Sequence, residues 1–225
     1  MKKILLLLTV ICLVSCASES EQEGLNNVAD IYDATTSYSK SFNTNNGKKT
    51  SSFNVKVSGS KMIDSLQPTV TTANIATLIY GNMNEEERGD YDHIDVELVN
   101  AKNDTVGYYY PMNILENIYN KSKNFKAFSE ALINNDAAKL DEIRHKADFE
   151  KPIGQPLLNV IKNLEKKHGQ LMTYKPFGIA EINNSANEQA FQYQGNLIFR
   201  NGKVPYLVTI ENIPGQDEVI GFRIF

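Results

Sequence analysis

Two Asn-Gly pairs, Asn46-Gly47 and Asn201-Gly202, sit between stretches whose apolar residues recur at alternate positions. Asparagine and glycine tolerate the positive backbone angles of a two-residue hairpin turn, so each pair predicts two antiparallel strands. Tyr38 and Phe42 precede the first turn, and Phe53, Val55 and Val57 follow it. The second lies between Phe191, Tyr193, Leu197 and Phe199 and the set Val204, Tyr206, Val208 and Ile210. A looser turn at Pro214-Gly215 leads into Ile220, Phe222 and Ile224. A chain with a hairpin toward each end cannot be all-helical, and what covers the strands depends on the segments between.

Those segments change period. Leu25, Val28, Ala29 and Tyr32 recur at helical spacing. After Pro68, Thr72 is placed to cap a helix whose face holds Ile75, Leu78 and Ile79 and which ends near Gly81. Alternation returns at Ile94, Val96 and Leu98, turns near Asn103-Asp104, and runs through Tyr108 to Tyr110 before Pro111. Residues 25–113 thus predict an α-β-β-α-β-β domain, a four-stranded antiparallel sheet with helices on one face. Residues 114–225 predict a different order, so the chain carries no internal repeat. Phe125, Phe128 and Leu132 share a helical face, Asp136 caps a short helix with Leu140 and Ile143, and Pro156 starts a third with Leu157, Ile161 and Leu164 that Gly169 ends. The strand meander follows. The expected class is α+β with two domains, the second a group of helices followed by a curved antiparallel sheet.

At the N-terminus, Lys2 and Lys3 precede an apolar run from Ile4 to Val14, too short for a membrane-crossing helix of roughly 20 residues. Leu13-Val14-Ser15-Cys16 resembles the lipobox of bacterial lipoproteins. That resemblance implies cleavage between Ser15 and Cys16, loss of residues 1–15, and a diacylglycerol on the Cys16 thiol. Each buried methylene contributes about 0.8 kcal/mol, so two or three acyl chains would hold the protein at a bilayer. Ala17 stands where lipoproteins retained at the inner membrane carry Asp, which implies an outer-membrane destination on its periplasmic or outer face. Residues 16–24 contain the acidic run Ser18 to Glu23, which resembles a surface-export tether and reads equally as a solvated spacer. Cleavage discards Cys12, so no disulfide framework is expected. It also removes two lysines and moves the formal charge from −4 to −6. Without a basic stripe or any Trp, nucleic acid is not an expected partner.

In the second half, Phe128-Ser-Glu-Ala-Leu-Ile-Asn-Asn-Asp136, the stretch Lys166 to Gly178 and the terminal Glu218 to Phe225 resemble bacterial domains of the nuclear transport factor 2-like, or cystatin-like, superfamily. The resemblance covers about 100 residues and implies a cone in which helices lie across a curved sheet. The superfamily hosts both enzymes and non-catalytic modules, so it implies no single activity. An isomerase or cyclase of that shape needs an Asp or His base inside the cone. The expected pocket lining is Tyr174, Tyr193, Leu197, Phe199, Val208 and Phe222, which contains neither, and no catalytic residue is assigned. His93 flanks a strand, and His145 and His168 fall near helix C-termini. None has metal-ligand spacing, and the acidic Glu85 to Asp95 stretch lacks the pattern of a calcium loop, so no metal or cofactor is expected. Tyr108-Tyr109-Tyr110 reads as a strand with alternate rings inward, or as a carbohydrate-stacking surface. The expectation is a lipid-anchored envelope protein that binds an envelope protein or small molecule without catalysis; an isomerase or cyclase is the alternative.

Overall fold

The computed structural model describes residues 17–45, 47–183, 189–213 and 215–225. Ser15, Cys16 and the rest of the expected leader lie outside the described residues, as do Asn46 and Pro214 of two of the expected turns. The elements run in the order α1 (Glu19–Tyr32), β1 (Thr35–Asn45), β2 (Lys48–Ser58), a short 3-10 turn, α2 (Pro68–Asn82), α3 (Glu85–Asp90), β3 (His93–Val99), β4 (Thr105–Pro111), α4 (Met112–Ile133), α5 (Ala137–Glu142), α6 (Gly154–His168), β5 (Leu171–Asn183), β6 (Gln189–Phe199), β7 (Gly202–Glu211) and β8 (Val219–Ile224). The strands form two four-stranded sheets, ordered β1-β2-β3-β4 and β5-β6-β7-β8.

The first sheet is mixed, which corrects the antiparallel expectation: β2 pairs parallel with β3, while β1-β2 and β3-β4 are antiparallel. The reason is the connection. A tight turn forces antiparallel pairing, but the chain between β2 and β3 carries α2 and α3 and returns to the starting end of the sheet before re-entering. Phe53, Val55 and Val57 of β2 and Ile94, Val96 and Leu98 of β3 are buried beneath α1 and α2.

Two other expectations shift. Helix α1 begins at Glu19 rather than near Leu25, capped reciprocally by Ser18 and Glu21. The acidic run is therefore its first turns, and Glu21 is buried, not a spacer in solvent. Helix α2 begins at Pro68, whose missing N–H is an orphan position anyway. Thr72 is inside it, and its hydroxyl donates back to the Pro68 carbonyl instead of capping.

The second sheet is an antiparallel meander, and its first strand, β5, escaped the alternation reading. Pro176 and Gly178 interrupt β5, and its register shifts at Leu171/Thr173 and between Pro176 and Gly178. Each bulge reverses the inward phase, so no run of alternating apolar residues survives. The hairpin joining β6 and β7 pairs Phe199 with Gly202, placing Arg200 and Asn201 in the turn, one residue ahead of the expected pair. Asp136 does cap α5 by accepting from the Lys139 amide, and Gly169 ends α6 at φ 76°.

Two cores result, and two helices feed both. Helix α4 gives Leu115 to the first core and Ile118, Phe125, Phe128 and Leu132 to the second; α2 gives Ile75 and Ile79 to the first and Ala73 to the second. The boundary expected near residue 113 thus falls in the first turn of a continuous helix. Buried on nearly every side, α2 lies against α1, α4 and β5. There Tyr32 of α1 donates to the Phe177 carbonyl of β5 at 2.9 Å, and Asn74 of α2 donates to the Tyr32 hydroxyl at 2.8 Å. Burial holds the Tyr32 phenol well above its usual pKa, so it stays a donor.

Candidate functional site

None of the described helices covers the other face of the first sheet. Side chains alternate across a strand, so the residues between the buried ones all project there in registered rows. One row is Ser39, Asn54, Asp95 and Tyr109; the next is Ser37, Lys56, Glu97 and Gly107; a third is Ser41, Ser52, His93 and Pro111. The first two rows, with Ser41 of the third, line an open trough of 570 Å³.

The polar groups in the trough are pre-oriented. The Asn54 amide donates to the Ser41 hydroxyl at 2.8 Å and the Ser39 carbonyl at 3.1 Å, while its oxygen accepts from Ser52 at 3.1 Å. Lys56 and Glu97 pair at 2.7 Å, both about half exposed, so the pair contributes little to stability and leaves polar atoms facing solvent. His93 Nε2 lies 3.2 Å from Asp95 Oδ2, its ring centroid 4.4 Å from that of Tyr109, and its buried Nδ1 has no hydrogen-bond partner. Tyr109 is 59% exposed. Gly107 beside it leaves open space where a Cβ would stand. The tyrosine run behaves as a strand, with Tyr109 outward and Tyr110 turned inward to hydrogen-bond Thr72 at 2.7 Å.

An exposed aromatic face flanked by carboxylates, an amide and hydroxyls suits a ligand that is flat and weakly apolar on one side and rich in hydroxyls at its rim. Ring C–H groups are attracted to the negative π face, and carboxylates accept charge-assisted hydrogen bonds from hydroxyls. Sequence analysis named the Tyr108-Tyr109-Tyr110 run, His93 and the acidic stretch ending at Asp95 separately, without bringing them together. The signal was present in the alternation of Ser37, Ser39 and Ser41, Asn54 and Lys56, and Asp95 and Glu97, yet only strand pairing sets those pieces side by side.

The residues expected to line a pocket in the second half separate into three groups. Leu197, Phe199 and Val208 are 0%, 3% and 0% exposed and fill the core, because α4 and α6 press Phe128, Leu132, Leu157 and Ile161 onto that face of the sheet. Tyr174 and Tyr193 line a crevice of 220 Å³ beside Asn74, Tyr119 and Pro176, between α2, α4 and β5. There the Tyr193 hydroxyl is occupied, donating to the Ile118 carbonyl at 2.7 Å. Burial, with Glu130 nearby, pushes Tyr174 up to about 12, and burial holds Tyr193 well above its usual value; at neutral pH both are donors rather than bases. Phe222 lies elsewhere, stacked on Phe149 along an outer groove with Pro152 and Val160.

Among the described residues, His, Cys, Asp and Glu side chains form no group of three or more that could hold a metal ion. His145 bonds Asp148 at 2.7 Å, with Glu218 at 3.7 Å. The Asp148 bond and the neighbouring carboxylates raise its pKa above 6.5. A raised histidine contributes stability that is complete below 6.5 and lost as pH climbs through the raised value. Thermal melts should show a gain toward acid of less than about 1 kcal/mol, absent from His145→Gln; an unchanged acid gain in that variant would assign it to other groups.

Among the described residues no helix is long and apolar enough to cross a membrane. Comparison with known proteins finds no matching family model, no matching curated protein and no matching solved structure.

Proposed function

We propose that the chain is a lipid-anchored envelope protein, held at the outer membrane through acyl chains on Cys16, that acts as a non-catalytic binding module for a saccharide. The observation that carries this reading is exposed Tyr109 on a sheet face that none of the described helices covers, set beside Asp95, Glu97 and an Asn54 amide already fixed in orientation. A sugar ring would stack on Tyr109 across the gap at Gly107 and spend its hydroxyls on the carboxylates. The second half, which resembles the nuclear transport factor 2-like superfamily in its order of elements, supports the first through α2, α4 and the Tyr32 contact. An isomerase or cyclase reading would need a base beside Tyr174 and Tyr193, where the crevice offers tyrosines that keep their protons.

The test is titration of the protein with oligosaccharides from bacterial envelope polymers, followed by calorimetry. Tyr109→Ala should weaken binding about tenfold or more, the loss of one stacked ring. Asp95→Asn should also weaken it, with the fold unchanged by circular dichroism. Saccharide binding that survives Tyr109→Ala, or turnover of the sugar, would sink the reading. The anchor is tested separately: Cys16→Ser should abolish labelling by a radioactive fatty acid and release the protein from membranes.

A further inference from the structure

The chain leaving the leader is bound to the fold from its first described residue. The Ala17 amide donates to the Tyr38 hydroxyl on β1. Ser18 caps α1, Ser20 bonds Glu87 of α3 at 2.6 Å, and Glu21 pairs with Lys40 of β1 at 2.8 Å. Residue 16 is one Cα step, about 3.8 Å, from Ala17. Whatever apolar group enters the bilayer there carries the outer end of β1 with it, because the bonded segment leaves no length of spacer.

Strand β1 is an edge of its sheet, and past Tyr38 it runs into the hairpin tip. Phe42 lies four residues beyond Tyr38, about 13 Å along the strand. It points to the same side as Tyr38 but beyond the core, and at 75% exposed it is the most exposed large apolar side chain among the described residues. Across the turn, exposed Lys48 and Lys49 face Asn45 and Thr44. The tip therefore combines an aromatic ring with two ammonium groups, whereas exposed Glu85 and Glu86 on α3, near the start of α1, would be repelled by anionic headgroups. The end of α3 reaches the hairpin at Ser51, opposite Phe42, where the Ser51 hydroxyl donates to the Asp90 carbonyl and its amide to Asp92. Lys48 and Lys49 lie beyond these acidic residues toward the turn and are the part drawn to an anionic surface.

We propose that the tip of the β1-β2 hairpin is a second membrane-contact site, Phe42 entering the bilayer interface while Lys48 and Lys49 pair with lipid phosphates. The proposal rests on the reading of Cys16 as an anchor only for its source of tethering. With it, the lipid chains and the tip define two points of contact, which fixes the tilt of the fold on the membrane instead of leaving it on a swivel.

The chain contains no tryptophan, so Phe42→Trp creates a sole tryptophan, read by excitation at the red edge of the band where tyrosine does not absorb. The full-length protein would be purified from membranes and reconstituted into vesicles of phosphatidylethanolamine and phosphatidylglycerol. Emission at position 42 should shift to the blue and be quenched by brominated lipid, while Val160→Trp, exposed on α6, should keep water-like emission. Lys48→Glu and Lys49→Glu should each lower the partition of the tip by about fivefold or more. Because Phe42 is exposed, melting temperature should not move in any of these variants. Water-like emission from position 42 in a protein whose Cys16 is acylated by mass spectrometry would overturn the tip while leaving the anchor. A blue shift in a protein without acyl chains would do the reverse.

Discussion

Phe125→Ala should lower the unfolding free energy by about 3–5 kcal/mol, the upper range for truncating a buried aromatic. The melting temperature should fall by roughly 10 °C for a chain of this size. Phe125 is 4% exposed and stands at the centre of an aromatic cluster, stacked on Tyr193 at 5.6 Å and Tyr206 at 5.5 Å and edge-on to Tyr174 at 5.8 Å. Gly195 of β6 makes room for it: a Cβ there would come within 3.1 Å of the Phe125 ring and 2.7 Å of the Tyr206 ring. Aromatic pairs add about 0.5–1.5 kcal/mol beyond area burial, and alanine forfeits that along with the cavity it leaves. Urea denaturation measures the loss. A change below about 1 kcal/mol would mean that the cluster collapses to fill the gap and that α4 is not held to the sheet by this ring.

Glu21→Ala should cost about 3 kcal/mol or more, from the penalty for leaving partners of a buried charge unpaired. Glu21 is 1% exposed and its carboxylate accepts from the Lys40 ammonium at 2.8 Å, the Tyr91 hydroxyl at 2.7 Å and the Ser18 amide at 2.8 Å. Burial, together with that bond to Glu21, pushes the Tyr91 phenol up to about 12, which keeps it a donor. Glu21→Gln retains an acceptor of the same shape and should cost distinctly less. Equal losses in the two variants, read from urea midpoints, would show that packing rather than charge holds the start of α1. Hydrogen exchange should localise the effect: amides of the first turns of α1 should open in Glu21→Ala while those of β3 stay protected.

Local patterns carried much of the fold. Strands β1-β2, β3-β4 and β6 to β8 follow from alternation between turn residues, and α2, α4 and α6 follow from their apolar spacing, because both signals are set by neighbours in the chain. Strand β5 was illegible for the opposite reason: Pro176 and Gly178 are wrong for a regular strand and sit at its bulge, where Gly178 allows Val70 of α2 within 2.6 Å of the position a Cβ would take. The candidate site divides in the same way. Alternation puts Tyr109 on one face and Tyr110 on the other, but that none of the described helices covers the outer face depends on where α1, α2 and α4 pack.

By itself, then, the sequence determined the mixed helix and strand content, most element positions, the alternation of Tyr108, Tyr109 and Tyr110 between two faces and the hairpin that carries Phe42. Only the tertiary structure decided the parallel pairing of β2 with β3, the burial of Glu21 and the attachment of Ala17 to Tyr38. It also decided that Leu197, Phe199 and Val208 are core rather than pocket. Periodicity and turn chemistry act over a few residues and are written in order along the chain. Burial of a charge, strand direction across a helical crossover and the filling of a cavity depend on groups brought together from distant positions. An acidic run reads as solvated until a lysine and a tyrosine from other elements are placed against it.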